Sequence, residues 1–96
     1  MNTEIKAVHF SLRNDTKEYL EKKINRLHNA ENMIVDLLFT FTKEKNFSAE
    51  VKVNFRWGIS AHLKETDFEL IPAIDKLIDK LEAKISKEKD KVKEKR

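Results

Sequence analysis

The 96-residue chain has no cysteine, a single glycine (Gly58) and a single proline (Pro72). Without cysteine there is no disulfide framework and no thiolate metal site, a composition compatible with the cytosol. One isolated glycine cannot build a phosphate-cradling loop. Long apolar runs are missing too. The N-terminus, MNTEIKAVHF, carries an acid at Glu4 and no extended hydrophobic core, so neither a signal peptide nor a membrane-spanning helix is expected. Internal repeats and linker-like stretches are also absent. The length suits one domain over residues 1–96, large enough for a sheet with two helices and too small for two independent cores.

Charge is plentiful, at 39% of residues, and it is unevenly placed. Residues 84–96 hold seven basic side chains against three acidic ones, while positions 1–83 carry 13 basic and 14 acidic. The formal net charge of +3 is therefore a C-terminal excess. Localised positive charge points to a polyanionic partner, because binding strength follows the number of phosphates neutralised together.

Hydrophobic spacing predicts six elements in the order β-α-β-β-β-α. Residues 4–10 form a short strand. Asp15-Thr16-Lys17-Glu18 has the form of a capping box, and Leu20, Ile24 and Leu27 recur at helical spacing behind it, predicting a helix to about Ala30. From Met33 the period becomes two: Val35, Leu37, Phe39 and Phe41 alternate with the residues between them. A polar turn, KEKN, precedes a second alternating run of Ala49, Val51, Val53, Phe55 and Trp57. Gly58 then permits a reversal into Ile59, Ala61 and Leu63. On this pattern Phe55 and Trp57 belong to the core, which argues against a sheet that stacks RNA bases on exposed aromatics. Pro72 is tolerated only in a first helical turn, so the last helix has its N-cap near Glu69.

That last helix sorts its charges by sign. Leu70, Ile74, Leu77, Ile78, Leu81 and Ile85 share one sector, and Lys76, Lys80, Lys84, Lys87 and Lys91 share the sector beside it. Asp75, Asp79, Glu82 and Asp90 fall mostly on the far side. Like charges four residues apart weaken a helix slightly, so solubility alone does not account for the arrangement, whereas a ridge for phosphates does. Lys22, Lys23 and Arg26 flank the apolar stripe of the first helix, and if the helices lie on one face of the sheet the two basic flanks could line a shared groove. Chemistry finds no comparable support. His9, His28 and His62 stand on different elements without metal-ligand spacing, and no carboxylate pair belongs to a catalytic motif, so neither an enzyme nor a cofactor is expected.

The segment AIDKLIDKLEAKISKEKDK, residues 73–91, resembles the final helix of the ribosome hibernation promoting factor and ribosome-associated translation inhibitor family, whose older name refers to sigma-factor modulation. IKAVHFSLRNDTKEYLEKKINRL, residues 5–27, is similar to that family's first strand and helix. The resemblance implies an α+β fold, a four-stranded sheet with two helices on one face, similar to double-stranded-RNA-binding domains. It also implies a cytoplasmic protein that binds the small ribosomal subunit where messenger and transfer RNA lie. Such a protein inhibits translation by occupancy and protects idle ribosomes under stress or in stationary phase.

The resemblance matches Lys80, Lys87 and Lys91 to basic positions of the family's final helix and Lys23 to one of its first helix; with Lys76, Lys84, Lys22 and Arg26 from the same helix flanks, these are the expected ribosomal-RNA contacts. No membrane and no small-molecule substrate is implied. The chain departs from the family pattern at Ala83-Lys84, where many members have Arg-Gln, so a bidentate fork is missing. Arg13 stands where a Thr often caps the first helix, and the family start near Arg13 competes with the capping box at Asp15. Longer members carry a C-terminal domain, so the chain looks like a short form, with residues 92–96 a candidate frayed tail anchored only by Val92. Two other classes use the same lysines: a protein-interaction module of the sigma-modulating kind, and a general double-stranded-RNA binder.

Overall fold

A computed structural model of the protein describes residues 1–27 and 30–94, with side chains described as far as Lys91. Its elements are β1 (Asn2–Val8), α1 (Asn14–Asn25), β2 (Ile34–Lys43), β3 (Phe47–Phe55), β4 (Ser60–Asp67) and α2 (Leu70–Glu94). The strands form one sheet in chain order, with β1 parallel to β2 and the other neighbours antiparallel. The parallel pair follows from α1, which carries the chain from the end of β1 back to the start of β2.

Alternation sends Leu37, Phe39 and Phe41 of β2 and Ala49, Val51, Val53 and Phe55 of β3 to one face. They are buried there against Leu20 and Ile24 of α1 and the apolar stripe of α2 from Ala73 to Ile85. Both helices therefore cover the same face. On the open face the strands register in rows, such as Glu4, Leu38, Lys52 and His62, or Lys6, Thr40, Glu50 and Lys64.

The sheet departs from strict alternation at two places. The β2–β3 register shifts between Ile34 and Asp36, which turns Ile34 fully inward and leaves Val35 exposed, where unbroken alternation predicts the reverse. At the same end of β3 the reversal begins one residue after Phe55. The Phe55 N–H donates to the Ile59 carbonyl at 2.8 Å, the Gly58 N–H donates to the Phe55 carbonyl at 3.1 Å, and Gly58 takes φ +83°. Trp57 is thus a turn residue, 38% exposed and stacked on the Phe55 ring at 5.2 Å, and not the core residue that its spacing suggests.

Element ends also differ from expectation. β1 spans Asn2–Val8 because His9 adopts φ +69°, a left-handed conformation that ends the strand before Phe10. The capping box at Asp15 does not form. Arg13 is the extended N-cap of α1 without a side-chain bond, while Asp15 accepts from the Thr16 N–H at 2.8 Å and pairs with Arg13 Nε at 3.4 Å. α1 ends at Asn25, after which the Leu27 N–H donates to the Ile24 carbonyl and the Ala30 N–H to the Leu27 carbonyl, each at 2.8 Å; Ala30 is buried without belonging to α1. α2 begins where Pro72 requires, with the Ala73 N–H bonded to the Glu69 carbonyl at 3.3 Å. Its backbone continues to Glu94; the rest of the expected tail, residues 95 and 96, lies outside the described residues.

Candidate nucleic-acid interface

α2 leaves the end of β4 and returns beside it, so one flank of the helix runs along the β4 edge. Lys76 Nζ lies 2.8 Å from Asp67 Oδ2, and Lys80 Nζ lies 3.1 Å from Glu65 Oε1 and 3.2 Å from the Lys64 carbonyl. Further along, Lys84 Nζ reaches Glu88 Oε1 at 3.0 Å, and Lys91 Nζ reaches the same oxygen at 3.5 Å. Lys87, also exposed, makes no ion pair among the described residues. The ridge seen in the sequence thus exists as a row of five lysines on one flank. Four of them are held by acids on their inner side while Lys76, Lys80 and Lys91 stay about half exposed.

The pairings shift the groups they join. The hydrogen bond from Lys76, and then the Glu69 N–H at 3.0 Å, hold the Asp67 carboxyl below its ordinary value, and the same contact raises Lys76. Asp67 therefore fixes the turn that leads into α2, through the Glu69 N–H, and anchors the first lysine of the row. Glu88 is lowered chiefly by the Lys84 hydrogen bond, which outweighs the desolvation that acts in the opposite direction. Only 2% of Glu88 meets solvent, and its carboxylate is shared by two lysines of the row. Sequence reasoning passed over Glu88 as one of the tail acids. The available signal was its position, three residues after Ile85 and seven after Leu81, on the apolar stripe.

The first helix does not face this ridge. Lys23 Nζ lies 3.6 Å from Asp75 and 5.3 Å from the Tyr19 ring centroid, and the Tyr19 hydroxyl donates to Asp75. That hydrogen bond to Asp75 is the main cause of a raised Tyr19 pKa. Arg26 approaches Glu82 at 3.8 Å, an ionic contact too long for a hydrogen bond. The basic side of α1 therefore meets the acidic side of α2, and opposite charges bridge the helices. A groove between two basic flanks does not form, because the lysine row of α2 lies on its other side, toward β4. Lys22 is exposed and has no ion pair among the described residues.

The histidines stay apart. His9 follows β1, His62 lies on the open face 3.8 Å from Glu50, and His28 lies outside the described residues. Among the described residues no three His, Asp or Glu side chains gather as a metal site, and no helix is long and apolar enough to cross a membrane.

The fold recurs in solved structures. A ribosomal subunit interface protein from Coxiella burnetii superposes with a TM-score of 0.85 at 21% identity, over 94% of this chain and 99% of that one. The Protein Y N-terminal domain of Thermus thermophilus gives a TM-score of 0.78 at 24% identity, over 91% and 98%. Among curated protein sequences none matches significantly. A family match extends through both helices and all four strands, from residue 3 to residue 93. The chain belongs to the family described as Sigma 54 modulation protein / S30EA ribosomal protein.

Proposed function

We propose that the protein is a ribosome hibernation factor. It occupies the messenger and transfer RNA channel of the small ribosomal subunit in the cytoplasm, blocks translation by occupancy without catalysing a reaction, and preserves idle ribosomes under stress. Membership of a ribosome-associated family supports the partner, and the description of the Coxiella burnetii neighbour as a subunit interface protein agrees with it.

The observation that carries the reading is the lysine row of α2. Lys76, Lys80, Lys84, Lys87 and Lys91 line one flank of a helix packed on the sheet, pre-extended by Asp67, Glu65 and Glu88. Ammonium groups so placed meet phosphates with little loss of side-chain freedom. Lys22, Lys23 and Arg26 supply a second cluster on α1. With about five phosphates neutralised together, a bare count puts the slope of log K against log salt on the order of −4, an upper limit for lysines already paired with acids.

The deciding test is co-sedimentation with isolated small subunits at two salt concentrations, with and without excess messenger and initiator transfer RNA. Salt-sensitive binding displaced by those ligands is expected. Absence of binding by folded protein would sink the proposal in favour of a protein partner, and equal binding to free RNA duplexes would favour a general duplex binder. Changing Lys80, Lys84 and Lys87 together to Glu should abolish binding; retained binding by the triple variant would remove the row from the interface.

A further inference from the structure

We infer that the free edge of β1 is a self-association surface, on which a second copy of this chain pairs antiparallel about a two-fold axis at Ile5. The sheet has two edges, and they differ. On β4 the Phe55–Ile59 hydrogen bond sets the alternation that turns the Lys64 carbonyl outward, and Lys80 Nζ caps that carbonyl at 3.2 Å. The flank of α2 thus guards the β4 edge. β1 spans Asn2–Val8 with no proline and no break in its register with β2.

The strand sequence, NTEIKAV, selects the pairing. A two-fold axis normal to the sheet keeps each face on its own side, so only registers centred on a residue are allowed. Centring on Glu4 sets Glu4 opposite Glu4, and centring on Lys6 sets Lys6 opposite Lys6. Centring on Ile5 sets Glu4 opposite Lys6 twice on the open face, with Ile5 against Ile5 on the helix face. Ile5 is also the midpoint of the strand, so the register with complementary charges is the one that pairs all seven residues. Beside this edge lies a groove of about 650 Å³ between α1 and β1, lined by Thr3, Ile5, Ala7, Leu12 and Ile24 among others, whose floor would continue into the second copy. A seven-residue edge makes a small interface, so the dimer is weak and concentration-dependent. Neither edge nor register depends on the ribosomal reading.

Sedimentation equilibrium of the RNA-free protein up to about 1 mM tests the inference. Wild type should approach twice the monomer mass. Glu4→Lys and Lys6→Glu each set like charges opposite and should weaken association at least about tenfold. The doubly exchanged chain, and an equimolar mixture of the two single variants, restore both opposite-charge pairs and should recover the dimer. A monomeric wild type at the highest concentration, or single variants that associate as well as wild type, would overturn the inference. Because the chain lacks cysteine, Ile5→Cys gives a separate reading: oxidation should yield a covalent dimer, and a Thr66→Cys control should not. Equal cross-linking of the two would likewise overturn it.

Discussion

Replacing Glu88 by Gln separates the two things this residue does. The carboxylate sits on the apolar stripe of α2 with 2% exposure and holds Lys84 at 3.0 Å and Lys91 at 3.5 Å. Gln keeps the shape and one acceptor oxygen but loses the charge. A hydrogen bond to a charged group contributes about 1.5–3 kcal/mol when well shielded, and an exposed ion pair at most about 1. Lys84 is 28% exposed and Lys91 54%, so screening brings the expected loss to about 1 kcal/mol at pH 7. For a domain of this size that lowers Tm by about 4–8 °C.

The pH dependence gives that prediction its sign. Glu88 has a folded pKa below its unfolded one, so its contribution is fully present above the unfolded value and disappears as pH falls through the folded value. The Gln variant has no such titration. Thermal melts of both proteins should therefore differ at pH 7 and converge under acid, as the pH falls through the folded value. The variant should also elute from heparin at higher salt than wild type, because Lys84 and Lys91 are released toward the polyanion. A Tm gap of equal size at pH 7 and pH 3, or a variant as stable as wild type throughout, would refute the assignment of Glu88 as a stabilising anion.

Four further outcomes follow from the geometry. Phe39→Ala, in the centre of the buried face, should cost about 3–5 kcal/mol in urea unfolding, whereas Trp57→Ala should cost about 1–2, since it gives up mainly a stack on Phe55. Trp57 fluorescence should be readily quenched by iodide or acrylamide in the folded protein, which a core tryptophan would resist. Tyr19→Phe removes the hydrogen bond to Asp75 and should cost about 0.5–1.5 kcal/mol; in wild type the phenol should titrate above its ordinary value in an absorbance titration, and Asp75→Asn should bring it down. Asp67→Ala should loosen the start of α2 at neutral pH, with faster amide exchange at Glu69, while the two proteins converge as acid protonates Asp67.

The order of elements was readable because most apolar residues obey one period at a time. Leu37 to Phe41 and Ala49 to Phe55 alternate cleanly, and the α2 stripe repeats from Leu70 to Ile85. Pro72 placed the start of α2 by backbone chemistry alone. The misreadings share a cause: each turned on one residue whose neighbours, and not its own type, decide its role. Val35 fits an alternating pattern but is turned outward by a bulge visible only in the β2–β3 register. Trp57 continues the apolar spacing of β3, yet the reversal begins before it. Asp15 and Glu18 have the composition of a capping box, but α1 has already begun at Asn14. The lysine row was readable as a helical flank. Its acids were not, because Asp67 and Glu65 belong to another strand and Glu88 hides on the apolar side.

Those acids change how the lysine row would meet RNA. A lysine already paired with a carboxylate exchanges one ion pair for another when a phosphate arrives, and salt weakens both partners of that exchange. Lys76, Lys80, Lys84 and Lys91 should therefore contribute less to the salt slope than a bare count of lysines implies, while Lys22 and Lys87 contribute fully. The pairs also hold the ammonium groups along one flank before binding, which lowers the ordering cost of the complex. On the ribosomal reading, affinity at physiological salt and steepness with salt thus come from different residues. Lys87→Glu should flatten the slope by more than Lys80→Glu does, although both substitutions reverse one charge on the same helix flank.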